Sequence, residues 1–286
     1  KTKKLEFKKI LSKLSKLSSS FEENLLDSVN NYSLLIKDLK KLKGIPKDVL
    51  EKARNDAKNQ NKIGWCFSLD FPCYLPLMQY ADNRELRKEI YYAYATKASE
   101  LGNKKIDNTD NINKILFNKK KLANLLNFRD YATMALETKM ANSSNEVISF
   151  LDNLADKARS FAKKDMSDIE DYGRKFNISS VEAWDVAYLS EKLKQDRFNY
   201  SDQEIKNYFP DTKVIEGLFK VVENIYSIYI EEDSVEVWHP DVRFYKITNN
   251  SNNLIGYFYL DLYARKNKRG GAWMDEAISK FKFSDD

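Results

Sequence analysis

Apolar side chains recur every three to four residues along most of the first part of the chain, which places them on one face of a helix. The clearest series follows Ser143, which forms a capping-box sequence with Glu146 and predicts a helix over residues 144–176. The apolar positions of this helix are Val147, Phe150, Leu151, Leu154, Ala158, Phe161, Ile169 and Tyr172. Further helices are expected near residues 5–36, 48–60, 82–101, 108–126, 181–196 and 211–229.

Three of these segments carry more specific expectations. Residues 5–36 are predicted to form one long helix, or two helices broken at a run of three serines. Residues 64–80 contain two prolines and are predicted to run extended before turning into a short helix. The next helix should begin at Asp82, which can accept a hydrogen bond from a free amide and precedes Glu85 by three residues. The positions predicted to be buried on that helix are Leu86, Ile90, Tyr94 and Leu101.

After Glu231 the pattern changes from helical to β. Residues 235–238 and 242–247 are rich in β-branched and aromatic side chains, and residues 254–263 are almost continuously apolar. Because an asparagine-rich turn at 249–253 joins the last two segments, we predict a hairpin buried on both faces.

The predicted fold class is therefore mainly α, with a helical region at 1–230 and a small antiparallel β-sheet within 231–286. A short strand at 270–274 is a candidate addition to that sheet. We expect residues 235–275 to be covered by a second polypeptide, or else to expose a larger apolar patch than monomers normally tolerate.

Composition supports a folded domain. The chain has 286 residues, of which 42% are hydrophobic and 32% are charged, so it can bury a large core and lacks the composition of a disordered chain. The net charge of +5 arises from interleaved acidic and basic residues, except that residues 1–16 hold seven lysines and one glutamate. A nucleic-acid-binding arm is one interpretation of that run. The helical spacing of neighbouring leucines instead favours the solvent face of an amphipathic helix, so no nucleic-acid partner is expected.

The cysteines and the hydropathy pattern indicate in which cellular compartment the protein is expected. Cys66 and Cys73 are separated by six residues, which matches neither a CxxC metal site nor a secreted disulfide framework. No stretch approaches the roughly 20 apolar residues that span a bilayer, and the N-terminus lacks a signal-peptide core. We therefore expect a soluble, cytoplasmic protein with no membrane partner.

Histidine content limits the possible catalytic chemistry. A catalytic zinc typically needs three protein ligands, commonly including both histidines of HExxH, but His239 is the single histidine in the sequence. A serine or cysteine nucleophile would also depend on His239 as its base, and no GxSxG motif accompanies it. We therefore predict that this chain contains no catalytic residue and no metal ligand, and that His239 has a structural role.

Two other candidates have structural explanations. Asp261 lies within an apolar segment, so its carboxylate should pair with Arg265 or Arg243. Gly270 and Gly271 lack the lysine and the strand-to-helix context of a phosphate-binding loop, and adjacent glycines more often permit a turn or a close backbone approach.

Several short stretches of the chain stand out when they are taken together. They are Gly64-Trp65, Leu69-Asp70, Tyr74-Leu75-Pro76, Asp82-Asn83, Tyr92-Ala93-Tyr94, Trp184-Asp185, Ser190-Glu191-Lys192, Trp238-His239-Pro240-Asp241-Val242-Arg243, Phe258–Arg265 and Lys268–Asp275. In their sequence and order, and over nearly the whole chain, they resemble the thimet oligopeptidase and oligopeptidase A family of zinc metallopeptidases.

The resemblance implies a mainly helical, zincin-like ellipsoid with a deep channel that admits short unfolded peptides. Residues 1–230 would form the channel wall, and 231–286 would begin the catalytic region. In the family, zinc is held by HExxH and a more distant glutamate, and the HExxH glutamate activates water. The substrate-binding edge strand would be Gly270, Gly271, Ala272 and Trp273, although an ordinary strand with a glycine bulge is the alternative.

We accordingly expect this chain to be a piece of a longer metalloendopeptidase. The piece would start at Lys1, inside the longer protein, and stop before the zinc-binding helix. Zinc would be the cofactor of the longer protein, whereas this chain alone would bind none and be inert. Its partners would be short peptides and the remainder of the longer protein. The alternative is a non-catalytic, helical peptide-binding or scaffold protein.

Overall fold

The computed structural model describes residues 2–271 and 278, and it confirms a mainly α-helical fold with a small antiparallel sheet towards the C-terminus. The helices are α1 (Thr2–Asn30), α2 (Lys47–Asn59), α3 (Phe71–Tyr80), α4 (Arg84–Ala95), α5 (Thr109–Leu125), α6 (Tyr131–Leu136), α7 (Ser144–Gly173), α8 (Ala183–Phe198), α9 (Asp202–Lys206) and α10 (Asp211–Tyr226). The strands are β1 (Leu34–Ile36), β2 (Trp65–Phe67), β3 (Ile228–Asp233), β4 (Arg243–Asn249) and β5 (Leu254–Leu260).

The N-terminal segment forms one unbroken helix, α1, so the run of serines does not interrupt it. The prediction of helix up to residue 36 is wrong at its end, because residues 34–36 form β1 and pair antiparallel with β2. This pairing places Ile36 opposite Trp65 and buries Ile36 in the core. The prediction of an extended segment followed by a short helix is confirmed by β2 and α3.

The start of α4 differs from the prediction by one residue. Asn83 is the cap, and its side-chain oxygen accepts from the Leu86 amide at 2.9 Å. The Asp82 carboxylate instead accepts from the Tyr188 hydroxyl at 3.0 Å, across the contact between α4 and α8. Leu101 was predicted to be buried but is 62% exposed, because α4 ends at Ala95.

The main core lies among α2, α3, α4 and the β1–β2 pair. Phe67, Leu77 and Ile90 are almost completely buried in it. Helix α8 packs against this core through Trp184 and Ala187, and a second, small cluster joins α8 to the end of α7. The middle of the chain is thereby held together by helix packing.

The sheet near the C-terminus has the strand order β3–β4–β5, with antiparallel pairing throughout. The predicted hairpin is present as β4 and β5. The predicted strand at 235–238 is wrong, because the third strand is β3, which lies earlier in the chain. This strand begins at Ile228, three residues before the expected start of the β region.

Burial of the hairpin on both faces is also wrong. On one face, Phe219 of α10 packs edge-on against Tyr245 and Phe258, with ring centroids 5.0 and 6.0 Å away. On the other face, Tyr257 and Tyr259 remain 52% and 44% exposed, because no described helix or strand packs on them and the Trp238 ring contacts Tyr259 alone, with centroids 5.0 Å apart. The described part of the sheet therefore exposes apolar side chains, and the two outcomes expected for residues 235–275, part of which lies outside the described residues, stay predictions.

Helix α7 also carries an uncovered apolar face. Its N-terminal cap is confirmed, since the Ser143 hydroxyl accepts from the Glu146 amide at 3.1 Å. Phe150 and Phe161 are 66% and 71% exposed, and the helix contacts α8 only near its C-terminal end. Within the described part of the chain, none of the helices is both long and apolar enough to span a bilayer.

Candidate functional site

The segment after β5 leads to Gly270 and Gly271 and is held by the carboxylate of Asp261. Arg265 donates to both oxygens of this carboxylate, at 2.5 and 2.8 Å, and the Trp238 indole donates to it at 3.2 Å. The hydrogen bonds from Arg265 lower the pKa of Asp261, with Lys268 adding to this effect. The predicted structural ion pair with Arg265 is therefore confirmed, whereas Arg243 lies 3.6 Å from Asp211 instead.

Lys268 closes this segment into a loop. Its ammonium group donates to the Asp261 carboxylate at 3.0 Å, and to the backbone carbonyl oxygens of Asp261 and Tyr263 at 2.5 and 2.9 Å. All three hydrogen-bonding positions of the ammonium are thus occupied. The loop places the next residues, Arg269 and Gly270, close to α1.

Two contacts attach the loop to α1. The side chain of Asn30 donates to the Asn267 side chain at 3.1 Å and accepts from the Asn267 amide at 3.2 Å. Two residues after Asn267, the Arg269 guanidinium lies 3.2 Å from the Glu22 carboxylate. A cleft remains between the loop and α1, and we call it the α1 cleft.

The α1 cleft has a volume of about 500 Å³, within the range typical of ligand pockets. Its apolar lining comes from three segments that are far apart in sequence. The apolar lining residues are Leu25, Leu26 and Val29 of α1, Leu69 and Phe71 at the start of α3, and Tyr94 of α4. Its charged lining residues are Glu22, Lys97, Lys268 and Arg269. The cleft can therefore accommodate apolar groups beside a few fixed charges.

Lys97 and Tyr94 both line the α1 cleft and contact each other. The Lys97 ammonium lies 3.4 Å from the centroid of the Tyr94 ring, and that ring stacks on Tyr74 with centroids 3.8 Å apart. Burial lowers the pKa of Lys97 and raises the pKa of Tyr74 to about 12. The stacked tyrosines thus support a partly desolvated cation.

The two glycines leave the backbone accessible on the loop side of the α1 cleft. A Cβ atom added to Gly270 or Gly271 would have no neighbour within 4 Å in the part of the chain that the structure describes. Gly271 has a φ of +100°, which residues with side chains rarely adopt. The backbone conformation at position 271 therefore favours glycine. The described residues leave room for a ligand to approach Gly270 and Gly271 closely.

Gly270 and Gly271 line the α1 cleft but lie outside any strand. Ala272 and Trp273, the other members of the predicted substrate-binding strand, lie outside the described residues. The edge strand at 270–274 therefore stays a prediction. Lys97, Glu22 and Phe71 were not identified from the sequence, because no local motif joins positions that approach each other only in the folded chain.

His239 does not line the α1 cleft. Its Nδ1 atom accepts from the Asp241 amide at 3.2 Å and lies 3.6 Å from the Asp241 carboxylate. Residues 2–271 and 278 include no group of three or more histidine, cysteine or acidic side chains arranged to hold a metal ion. The described residues therefore do not fit a catalytic zinc, and we derive no catalytic step through zinc for them.

Comparison with known proteins identifies relatives over the whole chain. Oligopeptidase A of Escherichia coli (strain K12) is 41% identical over 289 residues, which cover 100% of this chain and 42% of the relative. Oligopeptidase A of Haemophilus influenzae is 40% identical over 97% of this chain and 41% of its own length. The organellar oligopeptidase A of Arabidopsis thaliana is 37% identical over 97% of this chain and 36% of its own length. The chain thus spans about two fifths of the length of these curated relatives.

These similarities confirm the resemblance to the thimet oligopeptidase and oligopeptidase A family. The model of peptidase family M3 matches residues 77–285, which include helices α4 to α10, the C-terminal sheet and both glycines of the α1 cleft. Because this match covers well over half of its length, the chain belongs to peptidase family M3.

Proposed function

We propose that this chain is part of a cytoplasmic, zinc-dependent metalloendopeptidase that hydrolyses short peptides with metal-activated water. The observation that carries the proposal is the 41% identity to an oligopeptidase A over the whole chain. The described residues offer no zinc site, so the proposal assigns the metal ligands to other parts of a longer protein.

In this proposal, the part played by the chain is to bind the peptide. The apolar lining of the α1 cleft suits peptide side chains, and the accessible backbone at Gly270 and Gly271 suits an extended main chain. Main-chain hydrogen bonds to an edge strand give affinity for many peptide sequences. Gly270, Gly271, Ala272 and Trp273 are the residues that we propose for this strand.

The remainder of the longer protein is the second proposed partner. The uncovered apolar faces of α7 and of the C-terminal sheet have the character of surfaces that pack against another polypeptide. Their apolar composition supports an assembly in which this chain is one wall of a larger structure.

The first test is a peptidase assay of the isolated chain. The chain is incubated with zinc and a quenched fluorescent peptide, and we expect no metal-dependent increase in fluorescence, because a single histidine cannot supply the usual zinc ligands. Oligopeptidase A of Escherichia coli serves as the positive control. Metal-dependent turnover by the isolated chain would contradict the proposed division of roles.

The second candidate function is a non-catalytic peptide-binding or scaffold protein. The observation that favours it is the presence of an apolar cleft without catalytic side chains among the described residues. The coding sequence that follows Asp286 separates the two functions. An HExxH motif there supports the peptidase, and a stop codon supports the scaffold.

A further inference from the structure

The charged residues of the α1 cleft differ in how well they are paired. Lys268 is fully hydrogen-bonded within its own loop, and Arg269 lies beside Glu22. Lys97 has a tyrosine ring as its close neighbour and no carboxylate partner among residues 2–271 and 278. The cleft therefore contains one cation whose charge is not balanced by a described acidic group.

The surroundings of Lys97 make the absence of a described carboxylate partner energetically unfavourable for its charged form. Its ammonium is partly removed from water, and burial lowers its pKa without an opposing contribution from an acid. A cation–π contact offsets only part of the lost hydration. A carboxylate entering the cleft would favour the charged form of Lys97 and form a charge-assisted hydrogen bond.

The rest of the cleft fits a peptide that carries such a group. Leu25, Leu26 and Phe71 provide apolar contacts near Lys97, and the glycines leave space for a main chain. Among the described lining residues, Glu22 is the single carboxylate, and it is already paired with Arg269, so it offers little repulsion to an incoming anion.

We propose that Lys97 binds a carboxylate of the peptide that occupies the α1 cleft, and thereby selects peptides with an acidic group. This inference rests on the proposed peptide-binding function and assigns a specificity-determining residue to it. The carboxylate comes from an acidic side chain or from the C-terminus of the peptide, and the experiment distinguishes these two sources.

The test uses four fluorescein-labelled pentapeptides of otherwise identical apolar sequence. They contain either glutamate or glutamine at the central position, and each is made with a C-terminal acid or a C-terminal amide. Their affinities for the 286-residue chain are measured by fluorescence anisotropy. We expect the recognised carboxylate to increase affinity by about tenfold over the glutamine amide peptide, as is typical of a hydrogen bond to a charged group.

Lys97→Met removes the charge but keeps an unbranched apolar side chain over Tyr94, and Lys97→Gln provides a second neutral variant. Both should lose the carboxylate preference but keep affinity for the neutral peptide, whereas Lys97→Arg should retain the preference. Lys119→Met is the matched control, because Lys119 is also half-buried and lies 4.7 Å from the Tyr131 ring, outside the cleft. Circular dichroism verifies that each variant is folded.

The outcomes separate this inference from the function on which it rests. Equal binding of all four peptides by the unmodified chain, or a preference that persists in folded Lys97→Met and Lys97→Gln, would overturn the role of Lys97 while leaving peptide binding intact. Failure of every peptide to bind would overturn both proposals. A preference that follows the glutamate identifies the side chain as the source, and one that follows the free acid identifies the C-terminus.

Discussion

The α4–α8 contact and the C-terminal sheet are both rich in large side chains, but they bury them very differently. At the contact, even charged groups are enclosed: the Asp185 side chain is 0% exposed, and the side chain of its partner Arg87 is 1% exposed. In the sheet, by contrast, Tyr257 is 52% exposed although its ring is largely apolar. The comparison shows that side-chain polarity alone does not decide burial. What decides it is whether a second element covers the face.

The buried charges at the α4–α8 contact are tolerated because their hydrogen bonds are satisfied. Asp185 accepts from Arg84 at 2.6 Å and from Arg87 at 2.8 Å, and it also accepts from the Glu182 amide at 3.1 Å. Arg87 donates in addition to the Ala81 carbonyl at 2.7 Å. Buried ion pairs of this kind depend on complete pairing, so loss of one partner is costly.

Breaking this pairing should give the largest effect. In Asp185→Asn, the Arg87 guanidinium stays buried without a carboxylate, and we expect the free energy of unfolding to fall by about 3–5 kcal/mol. Urea denaturation followed by circular dichroism measures the change. The control is Asp110→Asn, which alters an exposed pair with Lys114 at 3.9 Å and should cost less than about 1 kcal/mol. Equal losses in the two variants would show that the buried pair has no special importance.

The sheet offers a matched comparison of its two faces, with a smaller expected effect. Phe258 packs against Phe219 of α10, whereas its neighbour Tyr257 lies on the uncovered face. We expect Phe258→Ala to lower the free energy of unfolding by about 2 kcal/mol, below the usual cost for a fully buried phenylalanine because Phe258 is only partly buried.

The paired variant Tyr257→Ala should change stability by less than about 1 kcal/mol, since its ring gains little from burial. Both variants are compared by the same urea denaturation. A larger loss for Tyr257→Ala than for Phe258→Ala would mean that the uncovered face is in fact covered in solution, by self-association or by another segment.

The smallest expected effect is a dependence of the Asp185 contribution on pH. Burial opposes ionisation of Asp185, but the hydrogen bonds from Arg84 and Arg87 outweigh it, so its pKa is lowered in the folded chain. The stabilisation from this group is fully present above the unfolded pKa of about 3.9, and it is lost as the pH falls through the lower folded value.

The stability difference between the unmodified chain and Asp185→Asn should therefore stay constant from pH 7 to about 5 and shrink below about pH 4. Urea denaturation of both proteins at a series of pH values gives this difference directly, and effects of other carboxylates cancel in the comparison. A difference that grows on acidification would contradict the assigned direction of the pKa shift.

Local features of the fold followed closely from the sequence. The cap at Ser143, the extended segment before α3 and the β4–β5 hairpin depend on residues that are neighbours along the chain, so their patterns were visible without a structure. The misplaced N-terminal cap of α4, in contrast, has a cause that is distant in the sequence. Asn83 and Asp82 are both good caps, and only the contact of Asp82 with Tyr188 shows which of them is engaged elsewhere.

Most residues of the α1 cleft could not be predicted from local sequence patterns. The sequence drew attention to Gly270 and Gly271, but Glu22, Phe71 and Lys97 meet them only because the loop after β5 is tied to α1. Contacts between residues more than 150 positions apart leave no periodic signal in a single sequence. The lack of a described carboxylate beside Lys97 is likewise a property of its surroundings and cannot be recognised from its residue type.

The amino-acid sequence by itself determined the mainly helical class, most helices, the turn to β structure and the similarity to peptidase family M3. These properties depend on the order of apolar and polar residues and on local hydrogen-bonding preferences. The tertiary structure decided that Asp185 is enclosed between two arginines. It also decided that no described helix or strand covers one face of the sheet, and that Lys97 has no carboxylate partner among the described residues around the α1 cleft. Burial and electrostatic pairing are set by distant neighbours, and packing alone brings those neighbours together.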